Sequence, residues 1–178
     1  GKFRRQRQMC IRDRLKISQR LKLLKKTMQV KQTMMTSTSK FTTAMRKFLG
    51  ATALQLFIET EPTPASRPRV TRWGTFYGKK YEAFRREVKT LLVDHDGQQI
   101  TGPVHAFIEI VCSPPKTTKR QFPRGDVDNF AKGPLDSMTT QGKFWKDDDQ
   151  ITALAVVKRF AEPNEASGIH IMYKEVSE

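Results

Sequence analysis

Followed for apolar and polar positions alone, the chain changes character near residue 53. Leu54–Glu59 (LQLFIE) is a short apolar run of strand type. A loop with Pro62, Pro64 and Pro68 follows, and Arg67–Tyr77 (RPRVTRWGTFY) then mixes Arg with β-forming and aromatic residues. Over Lys80–His95, the residues Tyr81, Phe84, Val88, Leu91 and Leu92 fall on one helical face, which predicts an amphipathic helix. Gly97 and Gly102-Pro103 close that segment. Val104–Cys112 alternates, with Val104, Ala106, Ile108, Ile110 and Cys112 on one side, as a half-buried strand does. Asp126–Met138 predicts a second helix. Its Pro134 cannot donate to the carbonyl of Phe130, so a kink or restart is expected there. Ile151–Phe160 and Gly168–Val176 are β-rich and joined by the turn-like Glu162–Ser167, which predicts an antiparallel hairpin. The order β, irregular β, α, β, α, β, β has no internal repeat. It predicts an α+β fold, a single mixed β-sheet with helices packed on it.

Residues 1–50 lack this patterning. They are rich in Lys, Arg, Gln, Thr and Met, with helical spacing only in places between Leu15 and Val30. Charge sharpens the boundary. The chain carries +15, yet residues 1–50 hold 15 basic residues and one acid, and residues 51–178 hold 18 basic and 17 acidic. Nearly all the excess therefore sits in the first third, expected to be a disordered basic arm, with a segment that touches phosphates as the alternative and 51–178 as the folded domain. Cys10–Arg14 (CIRDR) also resembles translated adapter sequence, so part of the arm is expected to be spurious, with Met45 as the natural start. No run reaches the roughly 18 to 20 apolar residues of a membrane span, and no secretory signal is visible, so a cytoplasmic protein is expected. Cys10 and Cys112 do not suggest a disulfide, and scattered His95, His105 and His170 do not suggest zinc.

The chemistry concentrates in Arg124–Asp149. Asp126 and Asp128 stand two apart, Lys132 follows Asp128 by four, and Asp147, Asp148 and Asp149 come about twenty residues later. Taken singly, Asp126 could cap a helix and the Asp triplet could be a solvated turn. Brought together, carboxylates from two segments repel unless a cation neutralises them, and oxygen-only ligands favour Mg²⁺ or Mn²⁺. A hydrated Mg²⁺ on such a cluster can activate water and stabilise a transferring phosphoryl group. A calcium loop of EF-hand type fails by spacing, with Ala131 and Ser137 where Gly and Glu are needed. Two basic groups flank the acids: Arg67, Arg69 and Arg72 in one, Lys116, Lys119, Arg120 and Arg124 in the other. Such clusters suit a phosphate backbone, and Trp73, Phe76 and Tyr77 are candidates for stacking on bases as well as for core packing.

The combination of Asp126, Asp128, Asn129, Lys132, Leu135-Asp136, Gly142, Phe144-Trp145, Asp147-Asp148 and Gln150 resembles the core motif of RusA-like Holliday-junction resolvases. Arg67–Tyr77 is similar to a segment of the family's phage members. The resemblance covers roughly Leu54 to Val176. It implies a RusA-like α+β fold, a homodimer, Mg²⁺ dependence and paired nicks across a four-way DNA junction, in a bacterial or phage-infected cell. Asp126 and Asp128 match the paired catalytic aspartates, Asp148 the third metal-binding carboxylate, and Lys132 the active-site lysine. Two departures stand out. One residue is inserted around Gln141–Lys143, and the third Asp in the row makes Asp147 and Asp149 rivals of Asp148. The rival functions are a related nuclease acting on branched or flap DNA, and a non-catalytic basic nucleic-acid-binding protein.

Overall fold

A computed structural model describes residues 40–50, 52–95, 97 and 99–176. The expectation of a disordered arm falls on residues 1–39, which lie outside the described ones, and the architecture below is that of the unit 37–178. Its elements are α1 (Lys40–Leu49), β1 (Leu54–Ile58), β2 (Arg69–Thr71), β3 (Gly74–Phe76), α2 (Lys79–Leu92), β4 (Val104–Cys112), α3 (Val127–Gln141), a 3-10 turn (Asp148–Gln150), β5 (Ile151–Phe160) and β6 (Gly168–Glu175). The strands β1, β6, β4 and β5 form one sheet in that order, and β2 with β3 forms a separate two-stranded ribbon. The main sheet is mixed: β4 runs parallel to β5 and antiparallel to β6, and β1 runs antiparallel to β6. This is the α+β architecture that the patterning predicts.

Alternation along β4 divides the core between two faces. Val104, Ala106, Ile108, Ile110 and Cys112 join Tyr81, Phe84, Val88 and Leu92 of α2 and Phe130, Ala131, Leu135 and Met138 of α3 in the main core. Phe107 and Met172 face the other way and meet Leu49 of α1, with Met45 and Val157 packed alongside. So α1 covers part of the second sheet face, although it precedes position 51, where the patterning places the start of the folded domain. That face also buries Glu109 completely, its carboxylate held 2.8 Å from the Nε of Arg159, which in turn pairs with Glu165.

Two local expectations are corrected. The strands Ile151–Phe160 and Gly168–Glu175 do not form a hairpin, because β4 lies between them. β4 is buried on both faces and takes the interior position, while β5 exposes residues 152–155 and takes the edge. The parallel β4–β5 pair then requires a crossover, and α3 lies on it. Nor does the helix restart at Pro134: Val127–Gln141 is one helix with Pro134 buried inside it. An interior Pro costs about 3 kcal/mol. Buried Phe130, Ala131, Leu135 and Met138 on both sides of it anchor the two halves to one core, which offsets that cost. The helix ends at Gly142, whose φ of 62° closes it in the left-handed conformation.

Candidate active site

The start of α3 is held in place from several sides. Gly125 adopts φ +112°, and a Cβ there would lie 3.1 Å from the Phe130 ring and 3.2 Å from Pro64. The ammonium of Lys158 on β5 donates to the Gly125 carbonyl and lies 5.9 Å from the centroids of both Phe122 and Phe130. The backbone N–H of Ala65 donates to the carbonyl of Asn129 at 2.7 Å. Asp126 occupies the N-cap position in extended conformation, but its side chain makes no capping hydrogen bond. Capping is therefore not the work of Asp126, and its carboxylate meets the Asn129 side-chain amide at 3.4 Å. Asp128 and Lys132 are exposed and Asp136 half-exposed. Their spacing of four places all three along one stripe of the helix.

The second acidic segment is anchored by aromatic burial. Phe144 and Trp145 are fully buried, and the Trp145 indole donates to Thr139 of α3 at 2.8 Å. Gln150 then ties the turn down. Its carbonyl accepts from the N–H groups of Lys146 and Asp147, and its amide donates to the carbonyls of Ile100 and Gly102. The three aspartates are not equivalent in this setting. Asp147 caps the 3-10 turn, accepting from the N–H of Asp149 at 3.3 Å. Asp148 has its carboxyl pushed above the ordinary value, by partial burial first, then by a hydrogen bond with Asp147 and the charges of Asp147 and Asp136. The turn thus lies against α3, with Asp148 in the field of Asp136.

Asp126 and Asp128 stand at the start of α3, while Asp136, whose charge acts on Asp148, lies about 12 Å further along the helix from Asp128 at 1.5 Å per residue. Among the described residues, no group of three or more His, Cys, Asp or Glu side chains converges closely enough to hold a metal ion. The donor set nevertheless suits a hard divalent cation. All the donors are carboxylates, they are accessible, and Asp148 responds to the like charges beside it. The basic residues Arg67, Arg69, Arg72, Lys116, Lys119, Arg120 and Arg124 are all exposed. Of the aromatic candidates, Trp73 and Phe76 are exposed on the β2–β3 ribbon, with Arg72 4.7 Å from the Trp73 ring centroid. Tyr77 instead packs edge-on against Tyr81.

Residues 59–172, more than half of the chain, match the family described as endodeoxyribonuclease RusA. The chain belongs to the RusA family. No curated protein matches the chain. As a RusA-family member it is an endodeoxyribonuclease, and the mixed sheet with its helices is consistent with that fold. No described helix is long and apolar enough to cross a membrane. Two residues placed beside these aspartates stand out less in the sequence. Asp136 was legible only as part of a motif, although its position eight after Asp128 already places it on the same helical stripe. Lys158 carries no local signal, because its partner carbonyl lies 33 positions away in the chain.

Proposed function

We propose that the protein resolves four-way DNA junctions by paired, symmetric nicks in recombination and repair, with Asp126, Asp128 and Asp148 as ligands of Mg²⁺ and Lys132 at the scissile phosphate. The observation that carries this reading is the meeting of two acidic segments, the turn with Asp148 lying against the helix that Asp126 and Asp128 open. When bound, Mg²⁺, or Mn²⁺ in its place, supplies a more acidic attacking water and neutralises charge on the phosphoryl oxygens. The rest falls to the chain. Asp126 is not consumed by helix capping, and the pinned Gly125 fixes where both paired aspartates emerge. Lys132, one turn beyond Asp128, donates to a non-bridging phosphate oxygen as charge redistributes in the transition state. The exposed arginines and lysines of the ribbon and of the 114–125 loop hold the flanking backbone. A two-fold homodimer presents two such sites to a two-fold junction. The setting is the cytoplasm of a bacterial or phage-infected cell.

The test compares a four-way junction, a flap and a linear duplex of shared sequence, each with Mg²⁺, Mn²⁺ or a chelator. Symmetric nicks in the junction alone, dependent on the metal, are the expected result. Faster cleavage of the flap reassigns the protein to the related nucleases of branched DNA. Binding without cleavage under any metal reduces it to a nucleic-acid-binding protein.

A further inference from the structure

A groove of about 440 Å³ opens between α2 and α3, and neither the sequence motif nor the acidic site accounts for it. Its α2 wall presents Arg85, Arg86 and Lys89, with Glu82 as the one carboxylate among the described residues lining it. Its α3 wall presents the hydroxyl-bearing Ser137 and Thr140. The groove adjoins the acidic site, because Ser137 follows Asp136 and Thr140 donates its hydroxyl to the Asp136 carbonyl at 2.6 Å. The Arg85 guanidinium is held rather than swinging freely: it lies 5.6 Å from the Tyr77 ring centroid and 5.9 Å from that of Tyr81. A cation–π arrangement of this kind restrains a long side chain while leaving its N–H donors available. Tyr81 is buried beside Arg85, its ring centroid 5.9 Å from the guanidinium, and burial first, then the charge of Asp136, holds its hydroxyl above the ordinary value.

Three cations against one carboxylate make the α2 wall a surface for a polyanion, while the Ser137 and Thr140 hydroxyls opposite donate their protons to the Gly133 and Asp136 carbonyls and only line it. We infer that the groove between α2 and α3 binds the sugar–phosphate backbone of one duplex arm, leading it past Asp136 toward the carboxylates, with Arg85 as the fixed anchor and Arg86 and Lys89 as the adaptable ones. This rests on the nuclease reading above and adds a backbone track that lies outside the two basic segments 67–72 and 116–124.

The experiment measures binding of the full chain to a fluorescent four-way junction across a salt series without divalent cation. The variants are Arg85→Lys, Arg86→Ala with Lys89→Ala, and Lys89→Glu. Lys47→Ala, on α1 at the opposite face of the sheet, is the control for general charge. Removing one cation–phosphate pairing should make the slope of log K against log salt shallower by about 0.9. The double variant should therefore lose one to two such steps, bind about tenfold more weakly near 0.1 M salt, and need correspondingly more junction for half-maximal cleavage. Arg85→Lys, which keeps the charge and removes the fork, should weaken binding with a nearly unchanged slope. Lys47→Ala should leave the slope as it is. Melting temperatures verify that the exposed changes leave the fold intact, and Lys89→Glu repeats the test with one substitution. If the wild type binds and cleaves while the double variant and Lys89→Glu keep its salt slope, the groove is idle and the nuclease reading stands. If the wild type neither binds nor cleaves, both fall together.

Discussion

Asp147, Asp148 and Asp149 carry the same charge in the same turn, yet hydrogen bonding gives them different work. Asp147 spends its carboxylate on the N–H of Asp149, and the Gln150 carbonyl closes the reciprocal half of a capping box. Asp148 is the one that senses Asp136 across the gap to α3. Converting each to Asn should therefore separate structure from chemistry. Asp148→Asn should raise the Mg²⁺ concentration needed for junction cleavage by about tenfold to a hundredfold, with partial rescue by Mn²⁺. Asp147→Asn should leave the metal requirement and the melting temperature nearly unchanged, since Asn caps as well as Asp, whereas Asp147→Ala should lower the melting temperature by a few degrees, a missing cap costing about 1 kcal/mol. Asp128→Asn should abolish cleavage while junction affinity holds or rises, because a negative charge facing phosphate is gone. Lys132→Ala should slow single-turnover cleavage by on the order of 10²-fold with little change in affinity, the mark of a group that acts in the transition state. A metal requirement that moves with Asp149→Asn instead would shift the third ligand by one residue.

At the scale of elements, the first turn of α3 is positioned by a short stretch of unusual backbone. The φ of +112° at Gly125 lies where side chains are strained, and Phe130 and Pro64 would have to give by a few tenths of an ångström to admit a Cβ. Lys158 reaches across from β5 to hold the same peptide. Gly125→Ala should cost about 1–3 kcal/mol in chemical denaturation through this strain. It should also reduce cleavage by about tenfold or more, because displacement of the helix start moves Asp126 and Asp128 together. Cleavage at the wild-type rate in a correctly folded Gly125→Ala protein would show that the backbone tolerates a different path there. Gly133 has a related role deeper in the fold: a Cβ on it would meet the Phe84 ring at 2.8 Å, so its absence lets α2 and α3 approach closely enough to form the groove between them.

For the molecule as a whole, the question is where the working unit begins. The unit 37–178 includes α1, whose Leu49 is buried against Phe107 and Met172 on the sheet face that α2 and α3 leave uncovered. Removal of residues 1–36 should leave the melting temperature and metal-dependent cleavage unchanged, since every motif residue lies beyond them. Junction binding should weaken and become less sensitive to salt, because most of the excess positive charge goes with them. Removal of residues 1–50 should cost several degrees more, as exposing Leu-sized apolar surface costs about 1.5–3 kcal/mol per side chain. Equal melting temperatures for the two truncations would show that α1 adds nothing to the sheet. Loss of cleavage in the shorter truncation would place a working part of the enzyme in the basic arm.

What the sequence determined by itself is what local spacing can encode. Helical periodicity located α2, alternation located β4, and the spacing of Asp126, Asp128 and Lys132 marked one acidic segment and the Asp triplet the other. Those patterns are set by which side chains share a face, and a face is a property of a few consecutive residues. Strand neighbours are not. The patterning joined β5 to β6 because they are adjacent in the chain, whereas burial of β4 on both faces required a partner on each side and put it between them. Pro134 likewise carried a local signal for a kink or restart, and the restart is overridden by a core that extends along the helix on both sides of it. Only the tertiary structure distinguished Asp147 from Asp148, since the distinction depends on which carboxylate the turn occupies and which one faces Asp136. It alone brought Lys158 to Gly125, and Arg85, Arg86 and Lys89 alongside α3. These pairings join residues from 12 to more than 50 positions apart, where the free energy is decided by packing of the whole sheet and helix layer rather than by anything written in either segment.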